Sequence, residues 1–208
     1  VLGSGGHTRE MLMMMDDGFC DFGRVHRRYL ISSGDSMSRN HLEEFEQNLQ
    51  TLCEKKGDSP GTYDTAVVTR ARKVHQPLWS TPSSALQSMR GILGVLLSPP
   101  ANAVGRKLQY PRIVVSNGPA TGFIVAVAVF CLKMIYLIPE DRCFFVYIES
   151  WARISTLSLT GKLLYFTNIA DAFAVQHKQV AETYRVHNIG PIVLNSRRDV
   201  DSDEVPTT

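Results

Sequence analysis

The sequence predicts an α/β fold, a mostly parallel β-sheet covered by helices on both faces. Three observations point there. Short apolar, β-branched runs alternate with helical runs along almost the whole chain, and two of those runs end in glycine-rich turns that lead straight into a helix. A composition of 44% hydrophobic and 20% charged residues over 208 residues supports a globular core and excludes global disorder.

Val1-Leu2 reads as the end of a strand, and the strand's beginning, with any transmembrane anchor or signal, is expected upstream because no initiating Met precedes it. The turn Gly3-Ser4-Gly5-Gly6-His7-Thr8 follows, then a first helix from Thr8 to Met15. Val25 to Ser32 is the next strand, and Ser38 to Lys56 a charged surface helix with Leu42, Phe45, Leu49 and Leu52 on one side. Thr65 to Arg70 is a short strand after the loop Lys56 to Gly61. From Ala85 to Leu97 apolar residues recur at three and four, an amphipathic helix stopped by Pro99-Pro100 that packs on the sheet or lies at a membrane. Pro111 to Val115 is an apolar strand, Ser116 to Gly122 the second glycine-bearing turn, and Phe123 to Met134 a strongly apolar helix. The stretch Thr121 to Ile138 is long enough for a membrane span, but its Gly-Pro beginning and Lys133 favour a helix buried on a sheet. Cys143 to Ile148, a helix around Ser158 to Tyr165, the strand Ala172 to Gln176, a helix Lys178 to Tyr184 and a last strand Pro191 to Leu194 complete the pattern. Residues 1–194 are expected to form one domain and 195–208, acidic and poor in apolar groups, a disordered tail.

Charge excludes little but narrows the partners. With 22 Lys+Arg against 20 Asp+Glu the net charge is +2, too small for a broad nucleic-acid footprint, although Arg24, His26, Arg27 and Arg28 could meet a phosphate. Arg70, Arg72, Lys73 and His75 read as solvated surface, with membrane headgroups the alternative. Four widely spaced cysteines without a Cys-x-x-Cys pair speak against a structural metal or a disulfide framework, and no cofactor motif is complete.

In an open parallel sheet, ligands bind beyond the carboxyl ends of the strands. Both glycine turns lie there. Each lets backbone approach a ligand, and the helix that follows offers unpaired N–H groups to an anion such as a diphosphate, unless the turn is a plain connection with Thr8 as a cap. His7 is a hydrogen-bond donor or an acid/base group. Glu149, at the end of its strand, is a base or acceptor for a sugar hydroxyl, or else a partner for Arg153 one turn on.

The motifs GSGGHTREML, SNGPATG, YIESWARISTLSLTGKLLY and ADAFAVQ, spread over nearly the whole chain, together resemble one family. It is the membrane-anchoring, acceptor-side subunits of the eukaryotic UDP-N-acetylglucosamine transferase of dolichol-linked oligosaccharide synthesis. The bacterial lipid-linked peptidoglycan glycosyltransferase is similar in plan. The resemblance implies a Rossmann-like fold, the N-terminal half of a GT-B glycosyltransferase, acting without cofactor or metal at the cytosolic face of the endoplasmic reticulum membrane, with the nuclear envelope a further location. It implies two partners, the lipid GlcNAc-diphosphate-dolichol and a soluble catalytic subunit that binds UDP-GlcNAc, and a chain inactive by itself. Carried onto this sequence, Gly5, Gly6, Thr8, Asn117, Gly118 and Thr121 would bind the acceptor diphosphate, with His7 and Glu149 catalytic. The competing readings are a stand-alone nucleotide-binding enzyme, with Asp35 on a ribose, and a membrane scaffold without catalytic residues.

Overall fold

The computed structural model describes residues 1–16, 22–71, 81–100, 102, 105–107, 109–118 and 120–192. Among these residues six strands and six α-helices alternate: α1 (Gly6–Met15), β1 (His26–Ser32), α2 (Ser36–Lys56), β2 (Thr62–Val68), α3 (Thr81–Leu97), β3 (Ile113–Ser116), α4 (Ala120–Met134), β4 (Phe144–Ile148), α5 (Leu159–Thr167), β5 (Ala172–Val175), α6 (Lys178–Tyr184) and β6 (His187–Asn188). A short 3-10 turn, Gly105–Lys107, precedes β3. Every strand pair is parallel, β1 with β2 and β3-β4-β5-β6 in that order. Val1-Leu2 joins the two groups: Leu2 N–H donates to Leu30 O (2.9 Å) and the Val1 amino group to Val115 O (2.7 Å). The resulting order, β2-β1-(1–2)-β3-β4-β5-β6, reverses direction at Val1-Leu2, and that is where an open α/β sheet forms its ligand crevice.

Burial explains why the apolar runs fold this way. Val125, Ala126, Ala128, Val129 and Leu132 of α4 pack with Ile92 and Leu96 of α3 and with Val114 and Phe145 of the sheet. On the other face Met11 and Leu12 of α1 meet Leu42, Phe45, Leu49 and Cys53 of α2 around Tyr29 and Ile31. The Ala85–Leu97 run therefore packs on the sheet. Its remaining face is open to solvent, with Leu86 64% exposed. No helix among the described residues is long and apolar enough to cross a membrane, and Thr121–Ile138 divides into α4 and the turn after it.

Three expectations change. Among the described residues the last strand is His187–Asn188, and Pro191 and Ile192 are not part of a strand; the rest of the strand expected at Pro191–Leu194 lies outside the described residues, as does the tail 195–208. Helix α3 starts a turn before Ala85, at Thr81, because Pro82 suits a first turn whose N–H groups have no intrahelical partner. The Arg24–Arg28 cluster is largely neutralised inside the fold. Arg27 is buried in a two-pronged pair with Glu46 (3.0 and 2.7 Å), and Arg28 is forked onto Asp64, which also lies 3.3 Å from His26 Nε2. Arg72, Lys73, His75 and Cys20 lie outside the described residues.

Candidate functional site

The two glycine corners touch. A Cβ placed on Gly3 would sit 2.6 Å from Cβ of His7 and 3.3 Å from Cα of Gly118, and one placed on Gly118 would sit 3.1 Å from Cα of Gly3. Only hydrogen fits at that junction, so the turns after Val1-Leu2 and after β3 close into one corner. Gly122 is required for the same reason, since a side chain there would overlap Ser116 Oγ. The Asn117 amide bridges the corners by donating from Nδ2 to the His7 carbonyl (2.9 Å).

Beyond the corner, at the carboxyl ends of the strands, opens a cleft of about 720 Å³. His7, Asn117, Gly118, Thr121 and Glu149 all line it, so these expected residues converge on one space. The first turns of α1 and α4 meet its wall through His7 and through Ala120-Thr121-Gly122. Gly5, Gly6 and Thr8 do not line it, and Gly3 and Ser4 do. Gly5 caps α1 with φ 55°, a backbone conformation that glycine adopts without strain. Thr8 turns inward because its hydroxyl is already used. It is fully buried, donates to Gly3 O (2.5 Å) and touches Ser38 Oγ at 2.6 Å, so it pins the first glycine corner rather than meeting a ligand.

Glu149 is also occupied, and Arg153 is not its partner. The side chain is 1% exposed. Oε1 accepts from Ser150 N–H (3.1 Å) and the Tyr147 hydroxyl (3.4 Å), while Oε2 accepts from both N–H and hydroxyl of Ser158 (3.0 Å each). Ser158 caps α5 by accepting from Gly161 N–H (2.9 Å), so the carboxylate sits at a helix N-terminus, where negative charge is favoured. The expected base is thus the tie that closes the 149–158 loop; its proton-accepting lone pairs are engaged. Burial and the Glu149 charge raise the Tyr147 phenol well above its ordinary range, which keeps it a neutral donor.

Three residues whose roles sequence reasoning missed complete the site. Glu10, on α1 one turn after His7, is buried and accepts from Ser150 Oγ (2.8 Å), Trp151 N–H (2.6 Å) and Gln176 Nε2 (2.8 Å). Burial pushes its carboxyl up, but the His7 imidazole and these three donors outweigh that and hold it below the ordinary carboxylate range. Its spacing from His7, i to i+3 on a helix, was the available signal. Arg70 lines the cleft instead of open surface, its guanidinium 4.0 Å from Asp35, and Arg153 supplies a second cation there. Asp35 itself caps α2 by accepting from Ser38 N–H (3.0 Å) and Ser38 Oγ (2.8 Å), which commits it to the fold and not to a ribose.

The profile of the family described as "Oligosaccharide biosynthesis protein Alg14 like" matches residues 1–192. The chain is 34% identical over 184 residues to the UDP-N-acetylglucosamine transferase subunit ALG14 of Debaryomyces hansenii, covering 88% of this chain and 70% of that one. It is 36% identical over 187 residues to the subunit of the same name from Yarrowia lipolytica (88% and 74%), and 32% over 184 residues to that of Homo sapiens (88% and 76%). No solved structure matches the chain at a significant level.

Proposed function

From the premise that this chain belongs to the Alg14-like family of oligosaccharide biosynthesis proteins, we propose that it is the acceptor-binding subunit of a UDP-N-acetylglucosamine transferase. Its substrate is GlcNAc-diphosphate-dolichol at the cytosolic face of the endoplasmic reticulum, and a soluble partner brings UDP-GlcNAc. The chain alone is inactive. The observation that carries this reading is the contact between Gly3 and Gly118, which merges two helix-opening turns into a single cleft holding His7, Asn117 and two arginines.

The chemistry follows from the lining. A diphosphate fits where backbone comes close, two helices begin, and Arg70 and Arg153 supply positive charge. Asn117, Gly118 and Thr121 form one wall; Gly5 and Gly6 contribute through the backbone geometry that opens α1. His7, one third exposed, lines the cleft with an imidazole that no hydrogen bond of the fold engages, and is the base that removes the proton from the acceptor 4-hydroxyl. That oxygen attacks the sugar anomeric carbon with inversion as UDP leaves. Glu149 contributes by fixing the loop that carries Ser150 and Arg153.

The test is reconstitution in membranes containing GlcNAc-diphosphate-dolichol, assaying this chain, its co-purified partner and the mixture for transfer from UDP-GlcNAc. Transfer by the mixture alone is expected. Turnover by the isolated chain would refute the subunit reading, and full activity of His7→Ala in the mixture would refute the base.

A further inference from the structure

The imidazole of His7 is placed asymmetrically. Nδ1 is buried and has no hydrogen-bond partner, whereas the side chain as a whole is 34% exposed, which leaves Nε2 on the edge open to the cleft. The group facing Nδ1 is Oε2 of Glu10, at 3.8 Å. That separation is longer than a hydrogen bond, and a side-chain rotation of roughly 1 Å closes it. Glu10 is the more constrained of the two, because Ser150 Oγ, Trp151 N–H and Gln176 Nε2 all donate to it and Gln176 Nε2 also donates to Glu149 O (3.1 Å). A neutral imidazole carries its proton on one nitrogen only. Toward an ionised carboxylate, Nδ1–H is attractive and an Nδ1 lone pair is repulsive.

We propose that Glu10 is a positioning residue that holds His7 as the Nδ1–H tautomer, so that Nε2, on the cleft side, is the proton-accepting atom. The inference rests on the reading of the cleft as the acceptor site. In the step it serves, the acceptor O–H proton passes to Nε2. The oxygen's electron pair forms the new bond to the anomeric carbon, and the bond from that carbon to UDP breaks with its electrons leaving on the phosphate. The resulting imidazolium keeps Nδ1–H toward Glu10, whose charge stabilises it until the proton is released to water. The logic is that of a histidine base oriented by a buried acid, recognised by geometry rather than by sequence order.

Glu10→Gln tests it. The glutamine carbonyl can still accept from Trp151 N–H and Gln176, and its amide can donate to Ser150 Oγ, but the same amide now points an N–H at His7 Nδ1 and favours the opposite tautomer. The readout is the nitrogen-15 spectrum of the His7 imidazole in the full chain bound to its partner, alongside transfer kinetics. The wild type is expected to carry its proton on Nδ1 and Glu10→Gln on Nε2. With that change kcat falls about 100-fold or more, and acceptor KM moves by less than about threefold. An Nε2–H signal in the wild-type spectrum overturns the proposal without any variant, so a misfolded Glu10→Gln does not shelter it. An unchanged tautomer in a folded Glu10→Gln overturns it as well. A switched tautomer with unchanged kcat leaves the assignment of Nδ1 standing and refutes His7 as base, which separates this inference from the reading beneath it.

Discussion

Gly161 stands in the first turn of α5, where alanine would ordinarily stabilise a helix by about 1 kcal/mol. Here the opposite is expected. A Cβ at Gly161 would overlap Oε2 of Glu149 and lie 3.1 Å from its Cδ and 3.2 Å from Ser158 Oγ. The carboxylate has little freedom to retreat, since four donors hold it. Overpacking of this kind costs about 1–3 kcal/mol, and moving Oε2 also weakens charge-assisted hydrogen bonds worth about 1.5–3 kcal/mol each. After the helix-propensity gain, Gly161→Ala should lose about 1–2 kcal/mol, or about 2–8 °C in Tm for a domain of this size. Removing the obstacle reverses the sign. In a Glu149→Ala background the new methyl enters vacated space, and Gly161→Ala should raise stability by about 0.5–1 kcal/mol, a coupling of about 1.5–3 kcal/mol across the cycle. Urea unfolding of the four proteins measures it. Equal stabilisation in both backgrounds would refute the claim that Glu149 is locked against the start of α5.

The remaining expectations follow from the same contacts. Thr8→Val removes the hydroxyl that pins Gly3 O and should cost about 1–2 kcal/mol in urea unfolding. Acceptor KM should stay within roughly twofold, because Thr8 does not line the cleft; a large KM increase would return it to the binding site. Arg70→Ala should raise acceptor KM about tenfold with a smaller effect on kcat, and an unchanged KM would remove Arg70 from diphosphate binding. Glu10 is held below its unfolded value of 4.5, so its contribution to stability is present above that pH and is lost as pH falls through the lower folded value. The stability advantage of the wild type over Glu10→Gln should therefore shrink on acidification below pH 4.5; parallel curves would contradict the assignment.

The alternation of strands and helices was legible because the buried elements carry dense apolar signals. The helix expected at Phe123–Met134 and the strand at Cys143–Ile148 are α4 and β4 to within three residues at their ends, since α4 packs on the sheet, β4 lies between β3 and β5, and little but their apolar content is needed to place them. Edges were harder to read. β2 begins at Thr62, three residues before its apolar run, because its Thr62, Tyr63 and Asp64 alternate between intermediate and exposed and resemble loop residues. β6 is two exposed polar residues paired to β5, and nothing in His187-Asn188 marks a strand. The neighbouring apolar run gave a stronger signal, yet its first two residues, Pro191 and Ile192, are not in a strand. Backbone pairing, not side-chain burial, makes β6, and pairing is invisible in composition.

For the site, the glycine corners were legible and the division of labour between the acids was not. A glycine-rich turn between strand and helix locates the crevice whatever occupies it, so the convergence of His7, Asn117 and Glu149 could be anticipated. Glu149 drew attention because it directly follows a strand at the right end of the sheet. That same position put its oxygens within reach of the loop N–H groups that needed an acceptor, and the loop claimed it. Glu10 looked like an ordinary polar residue on a short helix. Only the fold shows that Ser150, Trp151 and Gln176, 140 to 166 residues later, turn their donors onto it. Position along one strand tells where a carboxylate stands. Which donors reach it depends on elements far away in the chain, and those donors decide whether it ties down a loop or stands behind the imidazole at the edge of the cleft.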